Sequence, residues 1–497
     1  RSYSVTGVQT CALPISISYV SIDHARLNLQ AETAGKSFDE VFDSARASWE
    51  HYLGLIEIEG ATDQQRRIFY TALYRSFIMP TRFDDVNGDY IGFDRKIHRA
   101  EEHGYYTDMS LWDTFRTVHP LYTLIAPGVQ RDCIRSLVAM ARQGGWLPRW
   151  PSGHGYTNSM LGTPADIVIA ESWLKGIRDF DIDTAYEAMR KTALASTPAQ
   201  AAFSGREGVE HYLASGYCPA DLMDEAVSRT LEFGWSDHAL SLLARSLGRS
   251  EDEEMFQQHS RFYRNLWNPQ TQYFQPRDSQ GHFVEPFKPL RLTYFDFQER
   301  YTNDYVEGNA LQWRWGVFYD PHGLISLFKS RDYFVSELNA FFSHAGASLG
   351  SWKPDTYYWH GNQPDLHAVY LFNAAGRPDL TQKWLRWILQ HKYDDSYVGL
   401  EGNDDGGTLS AWYVFSSLGF YPVAGTTRYE LAAPLFRRAL IHMNERTLEI
   451  RSRNWSDEAM YATRVTLNGS ALDRSVSHDE LVGGGVLEFE MRSSPQP

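Results

Sequence analysis

The sequence predicts a mainly α-helical protein: an (α/α)6 helical barrel with a remnant of an amino-terminal β-sandwich and a small carboxy-terminal β module. Three observations predict this architecture. From about residue 37 to 425, apolar residues recur at helical spacing in one segment after another. After Pro422 the pattern changes to short apolar runs separated by turns, which are typical of strands. Ahead of the helices, residues 17–22 (ISYVSI) form an apolar run that also predicts a strand.

The first residues of the chain do not resemble a folded element. The chain does not begin with Met, and residues 5–15 (VTGVQTCALPI) lack the basic and apolar regions of a signal peptide. Their codons would spell the end of a common sequencing adapter, so we interpret residues 1–16 as an assembly scar, with ordinary coil as the alternative. On this interpretation residues 17–36 are the last part of a sandwich domain whose earlier part is missing. The localisation of the protein can then not be read from this chain.

The predicted barrel domain covers residues 37–425 and begins with a linker helix. Ser37 and Thr62 each precede an apolar helical pattern, and a third such pattern at residues 134–141 ends at Gly144 and Gly145. Further helix-like segments lie at about residues 164–178, 183–195, 219–247, 252–266, 333–345, 364–376, 379–391 and 407–418. Successive helices without intervening strands favour a ring of paired helices. The predicted β module covers residues 426–497, with strands near 429–431, 439–443, 447–450 and 486–489.

Composition excludes several functional classes. The 497 residues carry 47 Lys and Arg against 62 Asp and Glu, a formal net charge of −15. Such an acidic chain is a poor candidate for nucleic-acid binding, which needs clustered cations. Three cysteines do not form a disulfide framework, and no Cys/His metal spacing occurs. No apolar run is long enough for a membrane span. Aromatic residues make up 14 % of the chain, enough to supply platforms for sugar rings as well as core.

Glu307 is the first candidate for chemistry. It lies at a predicted loop–helix junction beside Gly308, which allows another backbone to approach closely. The nearby Trp313 and Trp315 can exclude water, which would raise the pKa of a carboxyl group and keep it protonated as an acid. A helix cap with core tryptophans is the simpler interpretation of the same residues.

Two adjacent carboxylates, Asp404 and Asp405, form the second candidate. They stand between Gly402 and the Gly406-Gly407 pair, just ahead of a predicted helix. A carboxylate at a helix start can act as a cap, but a cap needs only one of the two. The flanking glycines therefore favour a tight loop that presents the pair to a ligand. The spacing is not that of an EF-hand.

Two amides and a Trp-Asp pair complete the candidates. The side-chain oxygens of Asn362 and Gln363 suit a hard cation such as Ca2+, although a turn and helix start is the simpler interpretation. Trp112 can stack on a sugar ring while Asp113 binds its hydroxyls, with a helix cap as the alternative for Asp113. Three further residues lie near predicted loops or helix ends: His154, Asp166 and Glu225.

Together these segments resemble glycoside hydrolase family 92, the calcium-dependent exo-α-mannosidases. The matching motifs occur in order at residues 110–116 (SLWDTFR), 307–310 (EGNA), 361–364 (GNQP), 370–373 (YLFN), 402–406 (GNDDG) and 410–423 (SAWYVFSSLGFYPV). The resemblance implies a β-sandwich followed by an (α/α)6 barrel, with nearly all of the sandwich absent from this chain. It also implies inverting hydrolysis of a terminal α-mannoside, assisted by Ca2+ bound to the mannose O2 and O3.

The resemblance further implies roles for individual residues. Glu307 matches the general acid and Asp405 the general base, with Asp404 as a neighbour that helps it. Asn362 and Gln363 match the calcium-binding segment, and Gln363 stands where many relatives carry Glu, which lowers the negative charge of the predicted metal site.

The resemblance also implies substrate-binding residues. Trp112 and Asp113 match the mannose-binding loop, and His367 is expected to contact substrate as well. The expected partner is a mannose-containing glycan, and the expected location is periplasmic or extracellular. Two alternatives stay open: a carbohydrate-binding protein without catalysis, and another (α/α)6 hydrolase of the trehalase or glucoamylase type.

Overall fold

A computed structural model describes residues 15–292, 304–349 and 355–495. The chain is mainly helical, as predicted, and the strands of its largest sheet come mostly from the carboxy-terminal part. Within the described ranges, no helix is both long and apolar enough to cross a membrane.

The helices follow the segments with helical apolar spacing. They are α1 Ile22–Thr33, α2 Phe38–Leu53, α3 Asp63–Arg75, α4 Leu111–Thr114, α5 Val118–Ile125, α6 Pro127–Gly144, α7 Pro164–Leu174, α8 Ile182–Leu194, α9 Val209–Ser215, α10 Ala226–Ser246, α11 Ser250–His259, α12 Ala310–Trp313, α13 Pro321–Ile325, α14 Arg331–Ser343, α15 Leu371–Ala374, α16 Pro378–His391, α17 Thr408–Leu418 and α18 His478–Val482. Ser37 and Thr62 cap α2 and α3 through complete capping boxes, in which the side chains of Glu40 and Gln65 bond back to the cap backbone.

Most strands are short and lie outside the helical region or in its loops. They are β1 Ile56–Glu59, β2 Thr81–Arg82, β3 Asp89–Ile91, β4 Ile97–Arg99, β5 Tyr106–Thr107, β6 Pro151–Ser152, β7 Gly155–Tyr156, β8 Trp267–Asn268, β9 Tyr273–Phe274, β10 Phe420–Pro422, β11 Arg428–Leu431, β12 Arg438–Met443, β13 Arg446–Arg453, β14 Tyr461–Leu467, β15 Ser470–Leu472, β16 Ser475–Ser477 and β17 Gly485–Arg492.

The largest sheet has six strands in the order β1-β12-β13-β17-β14-β15. All neighbours are antiparallel except β13 and β17, which pair in parallel. Strand β1 lies far outside the predicted β module at residues 426–497. It joins the edge of the sheet with Ile56 opposite Ile441 and Ile58 opposite Ala439, and the isoleucines of β1 are buried while its glutamates point outward. The amino-terminal part of the chain thus completes the carboxy-terminal sheet.

The strand predicted at residues 17–22 is wrong. Residues 17–20 form no strand, and α1 begins at Ile22. The side chain of Ser21 accepts a hydrogen bond from the backbone N–H of His24, which caps the helix and overrides the apolar pattern. Asn28, on α1, donates from its side chain to the carbonyl of Ile17, so this carbonyl bonds to a helix side chain. Residues 1–14 of the predicted scar lie outside the described residues.

Four predicted helices are shorter or interrupted, and the one expected at 164–178 ends at Leu174. The helix expected from residue 219 begins at Ala226, because Glu225 adopts a left-handed backbone conformation with φ of 57°. The segment expected at 252–266 divides into α11 and a 3-10 turn. The segment expected at 364–376 divides into two 3-10 turns and the short α15. The divided segment at 364–376 directly follows the candidate residues Asn362 and Gln363.

The helical region encloses one large apolar core. Helix α10 packs against α7 and α11, and α3 packs against α17. Helices α7, α10 and α17 are buried along most of their length. A helix without a polar face must lie inside a larger helical assembly, and the arrangement is compatible with the predicted (α/α)6 barrel.

Candidate active site

Glu307 lies in the loop that leads into α12. Its backbone is left-handed, with φ of 52°. The loop is held on both sides: the N–H of Val306 donates to Ser228 Oγ at 3.0 Å, and Trp313 Nε1 donates to the carbonyl of Val306 at 2.8 Å. Asn309 caps the short helix that follows. The capping interpretation thus applies to Asn309, while Glu307 is presented by a strained turn just ahead of it.

Asp404 and Asp405 lie in the loop ahead of α17, and their carboxylates make different contacts. The two carboxylate oxygens of Asp404 accept hydrogen bonds at 2.9 Å from the N–H and the hydroxyl of Ser410, in the first turn of the helix. Asp404 is therefore bound to the helix start rather than aimed at a ligand. Asp405 has a left-handed backbone, with φ of 48°, and its carboxylate faces another loop.

That other loop carries Asn362 and Gln363, and it connects the two candidate carboxylates. Asn362 Nδ2 donates to the backbone carbonyl of Glu307 at 2.6 Å. Gln363 Nε2 donates to the carboxylate of Asp405. Consecutive side chains of one loop thus contact both candidate catalytic residues, which lie far apart in the sequence.

Close glycine contacts bring the loops together. A Cβ on Gly402 would lie 2.9 Å from Gly361 Cα, and one on Gly361 would lie 3.1 Å from Gly402 Cα. A Cβ on Gly406 would meet Thr114 Cγ2 at 3.1 Å, which places the Asp405 loop against α4. Larger residues at these positions would push the loops apart.

The third carboxyl group of the site belongs to Asp113, on α4. Asp113 is buried, and in the described part of the chain its Oδ2 has no hydrogen-bond partner. Burial raises the pKa of Asp113 well above its usual value, and the charges of Asp405 and Glu307 raise it further, while Arg116 lowers it. Asp113 therefore lies close to both candidate catalytic carboxylates.

The pKa of Asp405 is also raised, to about 6. Burial is the main cause, the hydrogen bond from Gln363 opposes it, and the charges of Glu307 and Asp404 add to it. Three carboxyl groups, two from loops and one from α4, thus influence one another electrostatically, an arrangement that is common in functional sites.

The ion pair between Arg116 and Glu232 supports this group of carboxyls, and sequence reasoning missed it. Both side chains are buried, and Arg116 Nη2 lies 2.8 Å from Glu232 Oε1. The guanidinium group also donates to the carbonyl of Trp112 and lies over the rings of Trp112, Phe115 and Trp235. Arg116 belongs to the SLWDTFR motif, but no sequence pattern connects it with Glu232.

The predicted substrate ligands Trp112 and His367 are both buried, but they have different surroundings. Trp112 is buried beside Asp113, and its indole N–H has no partner within residues 15–292, 304–349 and 355–495. His367 is packed in the core against Phe318 and Trp235, and its Nε2 contacts the carbonyl of Trp315 at 2.9 Å. Burial lowers the pKa of His367 to about 3, so the ring is neutral. The packing of His367 favours a supporting position behind the site, and contact with substrate stays a prediction.

The amide residues have the chemistry that a calcium ion requires. Asn362 Oδ1 is buried without a hydrogen-bond partner among the described residues, and a cation would satisfy this oxygen. The other amide, Gln363, uses its nitrogen for Asp405 and keeps its oxygen end as an acceptor. No group of three or more His, Cys, Asp or Glu that could hold a metal occurs in the described ranges. Neutral amide oxygens suit a hard cation such as Ca2+ better than a soft metal.

Comparisons with known proteins agree with the motifs. The family model for the glycosyl hydrolase family 92 catalytic domain matches residues 24–493. A family GH92 α-mannosidase from Bacteroides thetaiotaomicron in complex with mannoimidazole has a TM-score of 0.88 and 32 % identity, over 96 % of this chain and 63 % of that chain. A family GH92 inverting mannosidase from Bacteroides thetaiotaomicron VPI-5482 has a TM-score of 0.87 and 32 % identity, over 96 % of this chain and 66 % of that one.

A curated relative adds a third comparison. An uncharacterized secreted glycosidase from Arthroderma benhamiae is 28 % identical over 519 residues, covering 98 % of this chain and 61 % of the relative. The chain thus spans somewhat more than three fifths of the length of these relatives. The family match covers nearly the whole chain, and the resemblance inferred from the motifs is confirmed. The chain belongs to glycosyl hydrolase family 92.

Proposed function

We propose that the protein is an exo-acting α-mannosidase that hydrolyses terminal α-linked mannose with inversion, with Glu307 as general acid and Asp405 as general base. The observation that carries the proposal is the bridge through Asn362 and Gln363, which ties the Glu307 loop to the Asp405 carboxylate. Two structural relatives are mannosidases, which supports mannose as the substrate. The substrate would be a mannose-containing glycan.

The two carboxyl groups would divide the proton transfers. The Glu307 carboxyl group protonates the glycosidic oxygen as the bond to the anomeric carbon breaks, and the leaving sugar departs as an alcohol. Asp405 accepts a proton from a water molecule that attacks the opposite face of the sugar. This single displacement inverts the anomeric configuration, and it requires about 6.5–9.5 Å between the two carboxyl groups so that the water fits.

Other residues would position the reacting groups and the sugar. Asp404 fixes the start of α17 through Ser410 and so orients its neighbour Asp405. Asp113 has a raised pKa, and its Oδ2 has no hydrogen-bond partner among the described residues. It would therefore offer a neutral carboxyl group to a mannose hydroxyl. The indole N–H of Trp112 would add a hydrogen bond or an aromatic surface for the same sugar.

We propose Asn362 and Gln363 as the residues that hold Ca2+. When bound, the ion would polarise two mannose hydroxyls and favour a distorted sugar ring. Asn362 Oδ1, which is buried and has no partner in the part of the chain that the structure describes, supports this assignment.

A periplasmic or extracellular location is part of the proposal, and the secreted fungal relative supports it.

A panel of aryl α- and β-glycosides of mannose, glucose and galactose, assayed with Ca2+ and with a chelator, tests the proposed function. We expect hydrolysis of the α-mannoside alone, and loss of that activity in the chelator. Hydrolysis of an α-glucoside in preference would favour the trehalase-like or glucoamylase-like alternative. Binding of mannose without hydrolysis of any glycoside would favour the carbohydrate-binding alternative.

A further inference from the structure

A second polar cluster lies beside the Glu307 loop, around Arg229 at the start of α10. Arg229 Nη2 lies 2.9 Å from Glu207 Oε2 and 2.9 Å from Glu225 Oε2. Arg229 Nε donates to the carbonyl of Asp224 at 3.0 Å. The side chain of Arg229 is only 10 % exposed, while those of Glu225 and Glu207 are 22 % and 44 % exposed. The guanidinium group thus lies at the bottom of the cluster and the carboxylates open to solvent.

One nitrogen of the Arg229 guanidinium group has no acceptor among the described residues. Arg229 Nη1 is buried and has no hydrogen-bond partner in the part of the chain that the structure describes. A buried guanidinium N–H without an acceptor is costly, so such groups commonly mark a place for a ligand or an ordered water. Burial raises the pKa of Glu225, and the positive charges of Arg229 and Arg149 oppose that rise, so Arg149 also lies near the cluster. However, its guanidinium group already donates to the carbonyls of Asn158 and Gly205 and does not compete for the carboxylates.

The cluster is fixed to the loop that carries Glu307. The N–H groups of Val227 and Ser228 both contact the carbonyl of Asp304 at 3.2 Å, and Ser228 Oγ accepts from the N–H of Val306. Arg229 follows directly after these contacts. The proposed general acid and the cluster therefore belong to one connected unit of backbone and side chains.

The chemistry of the cluster selects a neutral, hydroxyl-rich ligand. Two carboxylates accept hydrogen bonds and the guanidinium group donates one, which matches the mixed donors and acceptors of neighbouring sugar hydroxyls. A central Arg repels a cation, and two flanking carboxylates repel a phosphate.

The position then decides which sugar is bound. A general acid protonates the oxygen of the leaving group, so a polar cluster beside the acid's loop lies on the side of the leaving group. We propose that Arg229, Glu207 and Glu225 form a subsite for the sugar that leaves, and that this subsite selects glycans over simple mannosides. This inference rests on the proposed function, because it takes Glu307 as the acid.

Glu207→Gln and Arg229→Gln test the subsite, with kcat and KM measured on the best-hydrolysed α-linked mannobiose and on an aryl α-mannoside whose leaving group has no hydroxyls. A charged hydrogen bond to a ligand contributes enough for a loss of roughly 10-fold or more. We expect each variant to lose about that much kcat/KM on mannobiose, mainly through KM, and less than about 2-fold on the aryl mannoside. Glu187→Gln is the matched control, since Glu187 also pairs with an arginine, Arg249, but lies on α8 at the surface. This control should leave kcat and KM unchanged on both substrates.

A structural role would give a different result. If the cluster only stabilised the start of α10, the variants would lose activity equally on both substrates and melt at lower temperature, and the subsite would be refuted. Unchanged kinetics on mannobiose would refute it too. Should Arg229→Gln fail to fold, the partly exposed Glu207 still decides the question. A wild-type protein that hydrolyses no mannoside would overturn the proposed function and this inference with it, whereas an active wild type with unaffected variants would overturn this inference alone.

Discussion

Asn362 donates a 2.6 Å hydrogen bond from Nδ2 to the backbone carbonyl of Glu307, and the next residue, Gln363, donates to the carboxylate of Asp405. The relationship explains how two residues so distant in sequence are held in one site. It also means that the proposed metal ligands and the proposed acid and base are not independent, because a shift of this loop moves both carboxyl groups.

Glu307→Gln should slow the hydrolysis of substrates with poor leaving groups most. The amide keeps the shape of the side chain but has no proton to give, and general acid catalysis contributes roughly 10²–10⁴-fold. We expect a loss of about that size in kcat on mannobiose and a much smaller loss on aryl mannosides with acidic leaving groups, measured by steady-state kinetics. Equal losses on both substrates would place the acid elsewhere.

Asp405→Asn should lower the activity on mannobiose and on aryl mannosides to a similar degree. Water must be activated whatever group leaves, so the loss should not depend on the leaving group, and we expect roughly 10²–10⁴-fold. Asp404→Asn provides the comparison. Because Asp404 binds Ser410 rather than facing the ligand loop, its variant should mainly lower the melting temperature. If Asp404→Asn were as inactive as Asp405→Asn and yet as stable as wild type, Asp404 would have a direct role in the reaction.

Gln363→Glu should strengthen calcium binding and lower the stability of the metal-free protein. Glutamate cannot donate to Asp405 as Gln363 does, so two carboxylates would face each other without a proton or a cation between them. We therefore expect a lower melting temperature in chelator and a larger increase on adding Ca2+ than in wild type, measured by differential scanning fluorimetry. Gln257→Glu, at an exposed position of α11, is the control. Identical calcium responses in wild type and Gln363→Glu would argue against a cation at this loop.

Asp166→Asn should flatten the dependence of stability on pH. Burial raises the pKa of Asp166 to about 7, against the influence of Arg206 and with a further contribution from Asp237. An unfolded aspartate has a pKa near 4, so the folded protein holds a proton that the unfolded chain has lost. The stability from this proton is complete below about pH 4 and is lost as pH rises to about 7, at up to about 1.4 kcal/mol per pH unit.

Urea unfolding at several pH values measures this difference. We expect the free energy of unfolding of wild type to fall more steeply between pH 4 and 7 than that of Asp166→Asn. Parallel curves would mean that Asp166 is already ionised in the folded protein at low pH, paired with Arg206.

Local signals predicted much of the fold, and tertiary contacts decided the rest. The caps Ser37 and Thr62 and the helical spacing behind them are visible in the sequence, because capping acts over three residues. Strand β1 could not be placed in the carboxy-terminal sheet, since its partner β12 lies almost at the other end of the chain. The strand prediction at residues 17–22 was wrong because a short apolar run is compatible with a strand or with a helix start. The cap at Ser21 decides for the helix.

The candidate site was likewise predicted in part from local motifs. The motifs identified Glu307, Asp405, Asn362, Gln363 and Asp113, and the structure brings their loops together. They did not identify the Arg116–Glu232 pair or the Arg229–Glu207 pair, because each joins a residue of α10 to a residue that no local sequence pattern connects with it.

The anomeric form of the first mannose released is the most direct test of the central claim, that Glu307 and Asp405 act as acid and base in a single displacement. Proton NMR spectra recorded during the first minutes of hydrolysis of an aryl α-mannoside, before mutarotation, would distinguish the two anomers. We expect β-mannose to accumulate first and α-mannose to follow by mutarotation. Initial release of α-mannose would require a covalent intermediate or two displacements, and would contradict the assignment of Asp405 as a base acting on water.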